Sequence, residues 1–309
     1  MAADAKRILV LAAIAALIGI WGTTWGAIKV SLAGFPPFAG LGIRFLVAGA
    51  VLYALAFAMK LPSERGPRLY RVWVVETIFG LAASYGLAYW AIESAVPSGM
   101  TSLLFSTFPL FVALLAHLWL PKEPVRAGEL AGIGAAVGGV AILFSDDLAL
   151  PTDGARQAAL VFLTSPVAAA VAHVLIKRWG HGLHPINMVK GPMLATGALA
   201  VLVSRLTEAG RALAFDPAPV AALAYLAIPG SVITFTLYYW LLDRVAATRL
   251  SLISLGFPVV AVAVGGLFLD EPLTARTGLG AGLVLLGVGL ALRGERVDHA
   301  TGGDAVAGS

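Results

Sequence analysis

The chain of 309 residues carries a net charge of +4, and 59% of its residues are hydrophobic while only 12% are charged. Its mean hydropathy of +0.90 lies far above that of soluble domains, so the composition excludes a soluble enzyme and indicates an integral membrane protein. The absence of cysteine excludes disulfides and thiolate metal sites, and we expect no metal and no cofactor.

A hydrocarbon core about 30 Å thick requires about 20 apolar residues per helix, and the sequence contains ten such runs. The first run is longer than the apolar part of a signal peptide, which has about 7–15 residues, so we interpret it as a helix. The connections are mostly short, which leaves no room for a soluble catalytic domain. The predicted helices span residues 8–30, 37–59, 72–92, 97–120, 127–145, 157–179, 187–206, 219–242, 246–269 and 276–292.

Basic residues are distributed unequally between the two sides of these helices. If the N-terminus is cytoplasmic, fourteen Lys and Arg residues lie on the inner side and four on the outer side. The positive-inside rule then places both termini in the cytoplasm and explains the net charge without nucleic-acid binding. We therefore predict an all-α protein of the cytoplasmic (inner) membrane, with ten transmembrane helices, in contact with the lipid bilayer and with no nucleic acid.

The fourth and ninth predicted helices carry a proline at their centres, Pro109 and Pro258. A proline there removes a backbone hydrogen bond, which a membrane helix tolerates when its neighbours satisfy the freed carbonyl. The matched positions suggest a pair of hinges, although a static kink would leave the same pattern. Further matches at offsets of 148 to 150 residues are Tyr89-Trp90 with Tyr239-Trp240, Glu123-Pro124 with Glu271-Pro272, and Gly132, Gly134 and Gly139 with Gly280, Gly282 and Gly287. The two halves are therefore predicted to be repeats of five helices each.

Because five is an odd number, the second repeat must cross the membrane in the opposite direction to the first. Such inverted repeats are typical of secondary transporters that work by alternating access. We predict a first repeat at residues 1–145, an external linker at 146–156, a second repeat at 157–292 and a disordered cytoplasmic tail at 293–309.

The paired halves, the central prolines, the Glu-Pro turns and the glycine-rich last helix of each half resemble the drug/metabolite transporter superfamily, specifically its ten-helix EamA branch. The resemblance covers residues 8–292. It implies two inverted five-helix units around a central cavity that takes a small-molecule substrate. It also implies a secondary transporter, not an enzyme, that exports small metabolites, of which we expect aromatic or neutral amino acids. Other drug or metabolite classes share the pattern and form the first alternative.

Two functions of other classes stay open, a passive channel and a polytopic membrane enzyme. The sequence has no HExxH, GxSxG or P-loop pattern and no pair of intramembrane aspartates that could activate water, which argues against the enzyme. We expect the protein to be a monomer or a weak homodimer.

Candidate cavity residues lie first around the central prolines. Ser102, Phe105 and Ser106 share a helix face with Pro109, and Ser254 lies on the matching face of the ninth helix. Hydroxyls mixed with aromatic rings suit a small amphipathic substrate, but serine also serves close helix packing.

Two aromatic pairs are candidates for gates. Tyr85 and Tyr89 share a face of the third helix, and their repeat counterparts are Phe235 and Tyr239. In an inverted repeat the first pair lies in the outer half of the membrane and the second in the inner half. We therefore expect two closures on opposite sides of one cavity.

Further candidates come from the remaining aromatic and charged residues inside the spans. Trp21 and Trp25 are one turn apart and either line the cavity or pack in the core. Arg44 could hold a substrate carboxylate through its fork of donors, or extend to the headgroups. His173 could line the cavity or be a packed, hydrogen-bonded histidine.

Acidic residues are nearly absent from the predicted spans. No aspartate lies within one, and Glu76 is only four residues from the predicted inner end of its helix. Proton-coupled transporters carry a carboxylate embedded in the membrane, so we expect facilitated export down a gradient.

Overall fold

The computed structural model describes residues 2–121, 126–143, 152–260 and 275–293, and every regular element in these ranges is a helix. A helical segment lies at each of the ten predicted positions. The segments are α1 Ala2–Leu32, α2 Pro37–Ala58, α3 Pro67–Glu93, α4 Ser98–Trp119, α5 Ala127–Leu143, α6 Asp153–Trp179, α7 Pro185–Thr207, α8 Pro217–Leu242, α9 Ala247–Val260 and α10 Ala275–Arg293.

Seven helices, α1 to α4 and α6 to α8, are long and apolar enough within the described residues to cross a membrane. The protein is therefore a multi-pass membrane protein. For α5, α9 and α10 the membrane crossing stays a prediction, as does the orientation of the termini. The Glu-Pro turns, residues 146–151 of the predicted linker, residues 261–269 of the ninth predicted helix and the tail beyond residue 293 lie outside the described residues.

Four of the helix contacts follow a pattern that repeats along the chain. α1 packs on α8 and α3 packs on α6, while α2 packs along α7 and α5 packs along α10. If every helix number is shifted by five, the α1–α8 pair becomes the α6–α3 pair, and the α2–α7 and α5–α10 pairs stay the same. Each of the four pairs therefore joins a helix of the first half of the chain to a helix of the second half.

Glycines allow the close approach of α5 and α10. A methyl group at Gly139 would lie 2.7 Å from the backbone nitrogen of Val284, and one at Gly287 would lie 2.5 Å from the carbonyl oxygen of Gly132. Small residues of this kind are typical of packed membrane helices, because the backbones themselves come into contact. By contrast, a methyl group at Gly134 would meet no atom within 4 Å.

Both helices with a central proline depart from regular α-helix just before it. α4 consists of two α-helices, Ser98–Phe105 and Phe108–Trp119, and Pro109 lies in the first turn of the second. In α9 a 3₁₀ segment at Leu252–Leu255 precedes Pro258. Proline has no N–H and its ring crowds the carbonyl four residues earlier, so each helix opens on that side. The sequence signal therefore marks two matched breaks.

α3 and α8 contain a widened, π-helical segment at matched positions. The segments are Glu76–Ala83 and Ile228–Ile233, and their last residues are 150 positions apart, which is the repeat offset. In α8 the second residue of this segment is Pro229, which cannot donate the regular helix hydrogen bond. A π turn frees backbone carbonyls and frequently marks a functional site.

Two adjacent glycines of α5 test the close packing. We expect Gly139→Ala to lower the free energy of unfolding by about 1–3 kcal/mol, because the added methyl group meets the backbone of α10. Gly138→Ala is the control, since a methyl group at Gly138 meets nothing within 4 Å. Thermal unfolding of the purified proteins in detergent measures the difference, and equal melting temperatures would contradict the packing described here.

Candidate functional site

A cavity lies between six of the ten helices, α1, α3, α4, α6, α8 and α9. These helices form three repeat-related pairs, namely α1 with α6, α3 with α8 and α4 with α9. None of the described residues of the other four helices lines it. The lining residues are Trp21, Thr24, Trp25, Ile28, Glu76, Gly80, Ser84, Tyr85, Ala88, Phe105, Phe108, Ser165, Ala169, Ala172, His173, Phe235, Tyr238, Tyr239, Ile253, Ser254 and Phe257.

Aromatic rings form most of the cavity wall and contact one another across helices. The Trp21 ring lies 5.5 Å from Phe235 and 5.1 Å from Tyr238, centroid to centroid. One turn further along the same face of α1, Trp25 lies 5.6 Å from Phe105. Rings at these distances pack edge to face or tilted, which stabilises the wall and leaves an apolar surface for a ligand.

Eight of the twelve predicted cavity residues line this cavity. They are Trp21, Trp25, Tyr85, Phe105, His173, Phe235, Tyr239 and Ser254. The four that do not are Arg44, Tyr89, Ser102 and Ser106, and the predicted hinges Pro109 and Pro258 are not lining residues either.

Arg44 lies behind the cavity wall and is fully buried, with 0% of its surface exposed. Its Nε donates to Ser231 Oγ at 3.0 Å and its Nη2 donates to the carbonyl of Gly230 at 3.1 Å. Its guanidinium also lies 4.8 Å from the centre of the Tyr85 ring. In this structure Arg44 therefore connects α2 to the π segment of α8 and does not face a ligand in the cavity.

The two aromatic pairs do not lie at separate ends of the cavity. The Tyr85 and Phe235 rings are 5.9 Å apart and form a single contact between α3 and α8. Tyr89 is fully buried beside Gly40 of α2, outside the cavity. Tyr239 lines both the central cavity and a second pocket, so of the four rings it is the one positioned to separate two compartments.

His173 lines the cavity and is also fully hydrogen-bonded. Its Nε2 donates to the carbonyl of Ala247 at 2.9 Å, because a carbonyl can only accept. In the neutral ring Nδ1 therefore accepts from the Tyr238 hydroxyl. His173 is therefore both a packed, hydrogen-bonded histidine and a residue of the cavity wall.

Most hydroxyls near the proline breaks bond to the helix backbone. Ser106 Oγ donates to the carbonyl of Ser102, and Ser254 Oγ donates to the carbonyl of Ser251, both at 3.0 Å. These hydroxyls therefore find their partners within their own helix, and the Ser102 carbonyl also accepts from the backbone N–H of Ser106. Ser102 Oγ itself is buried without a hydrogen-bond partner.

Glu76 lies deeper inside its helix than the sequence prediction placed it. The predicted helix began at residue 72, but α3 begins at Pro67, so Glu76 lies nine residues inside it, about 14 Å from its start. The dipeptide Gly66-Pro67 was the available signal, because proline favours the first helical position. Arg68 and Arg71 lower the hydropathy of the first turns, so the apolar run, and with it the predicted helix, starts only at residue 72.

Metal coordination finds no support in the described residues, where no three His, Cys, Asp or Glu side chains lie close enough to share a metal ion. The cavity instead offers hydrogen-bonding groups. Two of them have no partner in the described protein, the donor Trp25 Nε1 and the acceptor Glu76 Oε1. The site is therefore chemically suited to binding a molecule with apolar and polar parts.

Comparison with known proteins matches this architecture to one family. The model of the EamA-like transporter family matches residues 6–145 and again residues 156–293. The chain belongs to the EamA-like transporter family. It is thus a membrane transporter of the drug/metabolite transporter superfamily, which confirms the family resemblance seen in the sequence.

Relatives of this transporter match along nearly their whole length. An uncharacterized transporter of Archaeoglobus fulgidus is 29% identical over 91% of this chain and 97% of its own. The uncharacterized inner membrane transporter YedA of Escherichia coli is 30% identical over 92% and 90%, respectively. A probable amino-acid metabolite efflux pump of the same species is 27% identical over 91% and 93%.

One solved crystal structure superposes on the transporter with a TM-score of 0.79 and covers 94% of this chain and 100% of that chain. The two sequences are 23% identical. The likeness shows that the fold is shared.

A substitution at Arg44 tests its structural role. We expect Arg44→Met to lower the free energy of unfolding by about 2–3 kcal/mol, because Ser231 Oγ and the Gly230 carbonyl lose a charged donor. Lys29→Met removes a cation from an exposed position of α1 and is the control. Thermal unfolding in detergent compares them, and an unchanged melting temperature for Arg44→Met would show that the buried contacts do not stabilise the fold.

Proposed function

We propose that this transporter exports small amphipathic metabolites, most of all aromatic or neutral amino acids, across the inner membrane by alternating access. The observation that carries the proposal is the aromatic cavity enclosed by three repeat-related pairs of helices. The two five-helix units are inverted relative to each other, and both termini lie in the cytoplasm. Its partners are the small-molecule substrate and the lipid bilayer, and it works as a monomer or a weak homodimer.

The composition of the cavity wall supports an amino acid with an apolar side chain. Trp21, Phe105 and Phe235 offer an apolar surface, and the free Trp25 Nε1 offers a hydrogen bond, while the hydroxyls of Ser84 and Ser165 bond to each other. Ligand sites of this kind combine mostly aromatic walls with a few placed polar groups. The name of the Escherichia coli relative, a probable amino-acid metabolite efflux pump, points to the same substrate class.

The helix breaks support a mechanism in which the cavity opens on either side in turn. α4 and α9 each contain an irregular segment next to the cavity at matched positions, and the Tyr85–Phe235 contact joins α3 to α8 across it. Motion of one interrupted helix relative to its partner changes which end of the cavity is closed. The name of YedA as an inner membrane transporter supports placement in that membrane.

Counterflow in liposomes tests the transport function. We expect liposomes that contain the purified protein and are loaded with unlabelled phenylalanine to accumulate external labelled phenylalanine transiently. Leucine in the lumen should support the same exchange. Control liposomes contain the protein and no internal amino acid. A flux that equilibrates without a transient overshoot would indicate a channel, and no flux with any neutral amino acid would overturn the amino-acid assignment.

The two prolines test the hinge hypothesis as a pair. We expect Pro109→Ala and Pro258→Ala each to reduce counterflow about tenfold, which corresponds to a barrier to the conformational step that is higher by roughly 1.4 kcal/mol. The reason is that alanine restores the backbone hydrogen bond, and a continuous helix bends less readily. Insertion and thermal stability should not fall. Pro192→Ala is the matched control, since Pro192 lies inside the unbroken helix α7. Unchanged counterflow in both hinge variants would refute the hypothesis.

A further inference from the structure

The Glu76 carboxyl group is buried inside the cavity. Only 2% of its surface is exposed, it lines the cavity, and its Oε1 has no hydrogen-bond partner in the described protein. The carboxyl group lies over Gly80, one turn further along α3, where any added methyl group would overlap it. The missing side chain at Gly80 therefore leaves the space on α3 that this carboxyl group occupies.

Hydroxyl groups of tyrosines lie in the same cavity as Glu76. The Tyr239 hydroxyl on α8 is a hydrogen-bond partner of the carboxyl group, and Tyr238 and Tyr85 line the same cavity. Tyrosine is neutral at physiological pH and can stabilise the carboxylate by a hydrogen bond without cancelling its charge.

The basic side chains of the neighbouring helices α2, α6 and α7 bond to groups other than Glu76. In the described part of the chain no cation forms an ion pair with Glu76. Arg44 binds Ser231 and Gly230, His173 binds Tyr238 and Ala247, Lys177 donates to the carbonyls of Leu242 and Val245, and Lys190 donates to Asn187 Oδ1. The cavity thus contains an acid without a protein counter-charge.

The surroundings of Glu76 favour a positively charged partner. A carboxylate without a counter-charge in an apolar site takes up a proton rather than stay ionised. An organic ammonium group can replace that proton, because it supplies both charge and hydrogen-bond donors. The aromatic faces of Trp21, Phe235 and Tyr239 attract cations as well.

We propose that Glu76 binds the ammonium group of the transported molecule and binds a proton when that group is absent. When the ammonium group binds, Glu76 loses its proton to the solution, and its carboxylate pairs with the ammonium group. Release of the ammonium compound on the other side lets Glu76 take up a proton there. Export of one ammonium group is then coupled to entry of one proton, and the ammonium group, not a carboxylate, is the required part of the substrate.

Tyr239 provides the connection to one side of the protein. It lies between the central cavity and the second pocket, whose wall includes His181 and Asp243 at the helix ends. His181 Nδ1 and Asp243 Oδ1 are 2.6 Å apart, and the His181 side chain is 79% exposed. Protons that enter from this side meet Tyr239 before they reach Glu76.

Three probes with the same ring and different charges test the inference, which rests on the proposed transport function. They are 2-phenylethylamine, a cation, phenylalanine, a zwitterion, and 3-phenylpropionate, an anion. In weakly buffered detergent solution we expect the wild-type protein to release about one proton per phenylethylamine or phenylalanine bound, by linkage. Phenylpropionate should neither bind nor release protons. Amine binding without proton release, or preferred binding of phenylpropionate, would overturn the inference.

The isosteric variant Glu76→Gln assigns the effect to one residue. We expect Glu76→Gln to bind phenylethylamine at least about tenfold more weakly, because a charged hydrogen bond is lost, and to release no protons. In liposomes a pH gradient, acidic outside, should drive phenylethylamine export by the wild-type protein and not by this variant. Glu93→Gln is the control, since Glu93 pairs with Arg211 in an exposed position at the end of the same helix.

The outcomes separate this inference from the proposed function. Phenylalanine counterflow that ignores the pH gradient and persists in Glu76→Gln would overturn the role of Glu76 and leave amino-acid export in place. Proton-coupled transport of phenylethylamine without any transport of phenylalanine would overturn amino-acid export and support the role of Glu76. If Glu76→Gln does not fold, the proton release of the wild-type protein decides the question alone.

Discussion

Hydrocarbon offers no hydrogen bonds, so each polar group inside the membrane-spanning part of this transporter must find its partner within the protein. This constraint explains where the helices are irregular. Of the six helices around the cavity, α3 and α8 have π segments, α4 is broken, α9 has a 3₁₀ turn and α6 is interrupted at Leu163. The described parts of α2, α5, α7 and α10 are continuous. Irregular backbone is thus confined to the helices whose neighbours and cavity can satisfy it.

The two halves of the transporter use matched positions for different polar groups. Gly80 and Gly230 are 150 residues apart and lie in the two π segments. At Gly230 the free carbonyl accepts from the buried Arg44. At Gly80 the missing side chain leaves room for the Glu76 carboxyl group. The Arg44 guanidinium therefore has hydrogen-bond partners on α8, whereas the Glu76 carboxyl group lines the cavity without a counter-charge.

The candidate site could be predicted in part because aromatic and hydroxyl residues at helical spacing mark one face of each helix. That reasoning selected Trp21, Trp25 and Phe105, which line the cavity. It also selected Arg44 for its charge, but a charged residue inside a span can serve a helix contact equally well. Glu76 was discounted because its depth depends on where α3 begins, and helix boundaries are the least reliable part of a sequence interpretation.

The sequence by itself determined that this is a multi-pass membrane protein of helical repeats, because hydrophobic length and an offset of about 150 residues are properties of the chain alone. It also determined where α4 and α9 break, since proline acts on its own helix. Only the tertiary structure decided which side chains face the cavity, because that depends on the rotation of each helix about its axis. The same rotation gives Arg44 its partners on α8 and leaves Glu76 facing the cavity, a distinction that depends on neighbouring helices and not on sequence position.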